Sequence, residues 1–241
     1  MMARCDGTFV RSMGQKGHEV DQLYNPYGVC CDSGLLYVAD SGNHRVQVFR
    51  LDGTYVRSIG NGEGREKGQL NSPRGICSAN GFLNVCDTGN HRVQVFRLDG
   101  SYARTIGSQG SGPGEFNCPS GICYESGHLY ITDNRNHRVQ VFFCINGKYV
   151  RAFGSCGNGK GQFSFPHSIC ASNGYISVTD SGNHRVQMFH YAASHQPCTY
   201  FQTFGRIGSE LNWDDSALRL AFASTPVGCM YATTRIAVCR C

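Results

Sequence analysis

The heptad Asn-His-Arg-Val-Gln-Val-Phe begins at Asn43, Asn90 and Asn136, and a fourth copy, with Met188 for the second Val, begins at Asn183. The starts are spaced by 47, 46 and 47 residues. A fixed period of this size restricts the chain to a stacked or circular array of one small unit. Each unit finishes burying its apolar surface only against its neighbours.

Every unit reads as four strands, a to d. An apolar run ending in Cys30, Cys77, Cys123 or Cys170 opens it, and a turn at Gly34, Gly81, Gly127 or Gly174 follows. An alternating segment then ends at Asp40, Asp87, Asp133 or Asp180. A tight loop returns the chain into a second alternating segment that starts at Arg45, Arg92, Arg138 or Arg185. Asp52-Gly53 and Asp99-Gly100 mark the next hairpin, into 55–59 and 102–106. Alternation, β-branched residues and Asn-Gly or Asp-Gly turns all favour strands. With 31 Gly and only 16% charged residues in 241, plus 14 Phe and 12 Tyr, the chain is turn-rich and holds ample core material. Global disorder is excluded.

A four-stranded meander repeated about every 45 residues is a β-propeller blade. The expected fold is all-β, a propeller of four-stranded antiparallel blades. Four clear repeats span 24–60, 71–107, 118–154 and 165–205 within one domain over 1–241. Residues 7–14 copy strand d with no a, b or c before them, and 206–241 offer candidates for those strands. A composite closing blade from these two segments makes five, and a six-bladed parent is the alternative.

Gly-Asn-His-Arg-Val-Gln-Val-Phe, preceded by Leu-Tyr-Val-Ala-Asp, resembles the NHL repeat, as do the Gly-Gln-Leu/Phe-Asn-x-Pro stretches before each unit. The resemblance covers roughly 7–205. It implies a non-catalytic binding platform for protein or peptide partners. Single-stranded RNA is the alternative ligand, as in NHL domains of tripartite-motif ubiquitin ligases. A metal-dependent amidation lyase is a remote third reading. No RING or B-box pattern accompanies the repeats, so ligase activity is not carried over.

The compartment is read from cysteine and charge. Fourteen Cys without a leader-like start or a paired CxxC suggest reduced thiols in a cytoplasmic protein. The net charge of +5 permits an acidic partner without demanding one. No apolar stretch is long enough for a transmembrane helix. A monomeric module is expected, with no membrane partner and no cofactor.

The Asp and Arg of the motif are expected to form a loop clamp. In it each of Asp40, Asp87, Asp133 and Asp180 meets its hairpin Arg and nearby loop N–H groups. A residue present identically in every unit serves the unit. The same reasoning demotes His44, His91, His137 and His184 as metal ligands, and makes Cys30, Cys77, Cys123 and Cys170 small fillers between blades. No catalytic or metal-binding residue is assigned.

Recognition is expected where the units differ. Directly after each loop Pro stand Tyr27, Arg74, Ser120 and His167, four different side chains in one slot. Arg135 adds a cation where the other units have Gly42, Gly89 and Gly182, and Lys160 and Phe165 lie in an acid-free loop. These candidates occupy the face formed by the d–a and b–c loops, the longer loops of a rigid scaffold. Counted over that face, six basic residues stand against five acidic ones, which weakens the RNA reading.

Overall fold

The computed structural model describes residues 9–191 and 198–205. Two short strands lead in: β1 (Gln15–Lys16) pairs in parallel with β2 (Gln22–Leu23). Blade 1 follows as β3 (Pro26–Asp32), β4 (Leu35–Asp40), β5 (Arg45–Arg50) and β6 (Tyr55–Ile59). Blade 2 is β7 (Pro73–Ala79), β8 (Phe82–Asp87), β9 (Arg92–Arg97) and β10 (Tyr102–Ile106). The loop into the next blade carries the parallel pair β11 (Ser108–Gln109) and β12 (Glu115–Phe116). Blade 3 is β13 (Pro119–Glu125), β14 (His128–Asp133), β15 (Arg138–Phe143) and β16 (Tyr149–Phe153). Blade 4 is β17 (Pro166–Ser172), β18 (Tyr175–Asp180), β19 (Arg185–His190) and β20 (Thr199–Phe204).

Each blade is an antiparallel meander in sequence order, and the first strands β3, β7, β13 and β17 pack side by side in that order. The four units are blades of a β-propeller, with strand a innermost. Apolar side chains fill the space between successive sheets. Tyr37, Val46 and Val48 of blade 1 meet Ile76, Leu83 and Val85 of blade 2, and equivalent clusters join blade 2 to 3 and blade 3 to 4. Burial of each such side chain stabilises the fold by about 1.5–3 kcal/mol. No helix among the described residues is long and apolar enough to cross a membrane.

Successive inner strands approach so closely that only glycine fits. A Cβ at Gly28, Gly75 or Gly121 would lie 2.3, 2.5 or 2.4 Å from the carbonyl oxygen of Arg74, Ser120 or His167 in the next blade. Blade 4 carries Ser168 at this position, and no described blade lies beyond it. The cysteines follow the same division. Cys30, Cys77 and Cys123 are each 2% exposed between blades, as expected of fillers, but Cys170 is exposed. The filler reading therefore fails at Cys170, on the flank that no described blade covers.

Of the expected closing blade, 206–241 and residues 7 and 8 lie outside the described residues. Residues 9–14 do not form a strand. They nevertheless hold strand-d contacts toward blade 1. Arg11 donates to the Asp52 carbonyl as Arg57 does to Leu98 and Arg104 to Cys144. Met13 lies against Gly53 as Ile59 lies against Gly100 and Ile106 against Gly147.

Candidate functional site at the axial mouth

The repeated motif builds the d–a loop that precedes its own blade. In blade 2, Asp87 accepts from Arg92 Nε at 2.8 Å and from the Asn71 amide at 2.6 Å. Arg92 then donates to the carbonyls of Glu66 and Gln69, at 2.9 and 3.1 Å. Asn90 donates to the Gly64 carbonyl at 2.7 Å, and Gln94 accepts the Gly68 amide at 2.9 Å. The other blades repeat the ion pair: Arg45–Asp40 at 3.0 Å, Arg138–Asp133 at 2.8 Å and Arg185–Asp180 at 2.7 Å. All four aspartates are fully buried. The expected clamp exists, with one correction. The backbone N–H held by each Asp belongs to the incoming d–a loop, at Tyr24, Asn71, Asn117 and Ser164, and not to the b–c hairpin itself. A buried carboxylate needs several donors, and the short hairpin turn does not aim its own amides at the Asp.

The motif histidines have a role that sequence reasoning missed. Each adopts left-handed backbone at the end of the b–c turn, with φ between 52° and 55°. From there the ring reaches the next blade. His44 Nδ1 accepts the Ser72 amide at 3.0 Å, His91 Nδ1 the Cys118 amide at 3.0 Å, and His137 Nδ1 the Phe165 amide at 3.2 Å. Each of these amides immediately precedes a proline. The carbonyl of that proline is held by the same b–c turn. Thr88 donates to Pro119 at 2.7 Å, Asn134 donates to Pro166 at 3.0 Å, and Ser41 donates to Pro73. One blade thus grips the x-Pro step of the next from both sides. His184, on blade 4, is exposed and has no such partner among the described residues. Acceptance at Nδ1 leaves the ring proton on Nε2 and the imidazole neutral. Burial, followed by the Arg135 and Arg65 guanidinium groups, holds His91 below the ordinary histidine range.

The residue after each loop proline is the variable slot, and at Pro73, Pro119 and Pro166 the clamp fixes the backbone that presents it. The four slot side chains meet there. The Tyr27 hydroxyl is in hydrogen-bond contact with the His167 ring, with ring centroids 5.2 Å apart. The Arg74 guanidinium carbon lies 5.2 Å from the Tyr27 ring centroid, and Arg74 Nη1 is 3.5 Å from Ser120 Oγ. Blade 1 and blade 4 therefore touch across the mouth through Tyr27 and His167. Burial holds the His167 imidazole below its usual range, so it is neutral at pH 7. Ser120 is only 1% exposed and stands behind Arg74, not on the surface of the rim.

The remaining candidates do not join this cluster. Lys160 is exposed, and its Nζ sits 5.8 Å from the Tyr200 ring on the outermost strand of blade 4. Phe165 is 47% exposed and rests edge-on against His137 at 4.7 Å. Arg135 is exposed beside His91, and its amide donates to the Asn117 carbonyl at 3.1 Å. Among the described residues, no three His, Cys, Asp or Glu side chains come together as a metal-binding group.

Four blades packed side by side, with their differing side chains gathered at one end, define a β-propeller with a candidate recognition face. The NHL repeat model matches residues 23–49, 70–96, 116–142 and 163–189, in register with the four blades. The chain is a member of the NHL-repeat family. Similar solved structures include a chain of a nidogen–laminin complex, at 20% identity and a TM-score of 0.58, over 77% of this chain and 65% of that one. Hydrazine synthase of Kuenenia stuttgartiensis aligns at 14% identity and 0.56, over 80% of this chain and 52% of that one. Streptogramin B lyase aligns at 12% and 0.51, over 73% and 54%. This chain spans less than two thirds of the length of each of these structures. At these identities the likeness concerns the fold alone, since one fold hosts many activities. A search of curated proteins finds no match.

Proposed function

We propose that this propeller is a monomeric, non-catalytic platform that binds a protein or peptide partner on its b–c/d–a loop face. The convergence of Tyr27, Arg74, Ser120 and His167 carries this reading. These four side chains come from four blades, occupy one repeated slot and share no chemistry, so blade packing does not account for them. The motif residues around them are spent on holding the loops, which leaves the slot free to vary. Tyr and Arg at the centre of a recognition surface are the residue types that most often dominate binding energy. The same proposal includes a closed ring, in which residues 9–14 serve as the outer strand of a last blade. Its support is the contact of Arg11 with Asp52 and of Met13 with Gly53.

The test is affinity capture with the full chain, treated with nuclease, in parallel with the Arg74→Ala/His167→Ala double variant. Proteins retained by the parent and lost by a folded double variant are the expected result. Retention of the same proteins by both would move the interface elsewhere. Binding that nuclease abolishes and that falls steeply with salt would replace the peptide reading with single-stranded RNA.

A further inference from the structure

We infer that the axial mouth recognises a single carboxylate of the partner peptide, received by Arg74. The inference rests on the peptide-binding reading above and names the chemistry at its centre. Arg74 has no carboxylate partner among the described residues. The acids within reach of the motif are already engaged: Asp87 holds Arg92, Asn90, Gln94 and the Asn71 amide. Glu63, in the d–a loop, lies 3.9 Å from His44 and is exposed, with no ion pair to Arg74. The other four carboxylate pairs belong to Arg45, Arg92, Arg138 and Arg185.

A guanidinium carries five N–H donors in a planar fork. Among the described residues Arg74 makes one long approach to Ser120 Oγ and lies near the Tyr27 ring, so the fork keeps donors in hand. The Tyr27 ring, 5.2 Å from the guanidinium carbon, restricts the motion of the side chain, and this lowers the entropy lost when a planar anion docks. A half-buried cation without a counter-ion is partly desolvated without compensation, and an arriving anion supplies the missing charge-assisted hydrogen bonds. The charge at the mouth also selects among anions. His167 is neutral and bonded to Tyr27, which leaves Arg74 as the one cation of the cluster among the described residues. A monoanionic carboxylate matches that single charge, whereas a phosphate dianion leaves charge unneutralised.

Two carboxylate sources fit this chemistry, an acidic side chain and a chain terminus, and the experiment separates them. In the full chain labelled with 15N, the Arg Nε–Hε signals are followed during titration with three probes. These are N-acetylglycine, N-acetyl-aspartate methylamide and inorganic phosphate, with N-acetylglycinamide as the uncharged control. The expected result is a saturable shift of one signal, assigned by its loss in Arg74→Gln, with one or both carboxylates and not with the control. No saturable shift of the Arg74 signal, or tighter binding of phosphate than of either carboxylate, would overturn the inference. A random heptapeptide array with free or amidated ends then tests the shared reading. Enrichment of acidic or free-ended peptides, about tenfold weaker on Arg74→Gln, supports both. Peptides bound equally by parent and Arg74→Gln, with no preference for a carboxylate, overturn the carboxylate site and leave the platform standing. A carboxylate shift without any peptide binding overturns the platform and leaves the carboxylate site standing.

Discussion

The histidine that links one blade to the next should make the propeller sensitive to acid, and His91 is the place to measure it. Its Nδ1 accepts the Cys118 amide at 3.0 Å across the junction of blades 2 and 3. Replacing His91 with Ala strands that donor at a half-buried site. An unsatisfied buried donor costs about 1–3 kcal/mol, and partial access to water places this one in the lower half, about 1–2 kcal/mol. His91→Asn is the informative partner. Its Oδ1 stands where Nδ1 stood, two bonds from Cβ, and Asn tolerates the left-handed backbone at φ +55°. It should restore most of the loss. The pH dependence has a definite sign. His91 titrates below the ordinary histidine range in the folded chain, so the unfolded chain binds more protons as the pH falls. The contribution is complete above the unfolded value of about 6.5 and declines as the pH drops through the folded value. Urea unfolding of parent, His91→Ala and His91→Asn at about pH 7.5 and about pH 5 reads all of this. The parent should lose stability between the two, and His91→Asn should lose less. An Ala variant within about 0.5 kcal/mol of the parent would refute the staple, since substitutions that touch no specific feature stay within that range. An Asn variant no better than Ala, with the parent's pH dependence intact, would refute it equally.

Three further outcomes follow from the packing. Asp87→Asn leaves Arg92 without its buried counter-ion and should cost about 3–5 kcal/mol in urea unfolding, with loosening of the d–a loop visible as faster amide exchange at Asn71. Gly75→Ala places a methyl group 2.5 Å from the Ser120 carbonyl oxygen and should cost about 1–3 kcal/mol, whereas Ser168→Ala at the equivalent position of blade 4 should be nearly silent in the same melt. Asn84 is fully buried with no partner for either side-chain polar atom among the described residues, so Asn84→Val should raise stability by about 1–2 kcal/mol in chemical denaturation.

Much of this molecule was legible in its residues. The period near 47 and the Asp-to-Arg hairpin identified the blade, because strand alternation and turn chemistry are local properties. The slot was legible too, since four different side chains after one repeated Pro stand out against an otherwise constant unit. Their meeting at the axis was not, because no spacing within a unit tells how far apart the units sit. The inter-blade contact of the histidines was not legible for a related reason. Within its own unit His91 has nothing to do, and its partner, the Cys118 amide, lies 27 residues on in the next blade. Gly28, Gly75 and Gly121, two residues past the loop Pro, read only as the start of an apolar run, yet their cause is the carbonyl of a neighbouring inner strand. Lys160 looked like a rim cation because its loop lacks acids, but the side chain lies toward the outer strand of blade 4.

Each junction is made by the same handshake: a b–c turn takes hold of the amide and carbonyl that flank the next proline. A duplicated unit would therefore dock between any two existing ones without inventing new contacts, since its turn grips whatever follows and its proline is gripped by whatever precedes. The side chain just past that proline takes no part in the grip. Ring size and mouth chemistry can consequently drift apart over evolutionary time, one by copying whole units and the other by single substitutions.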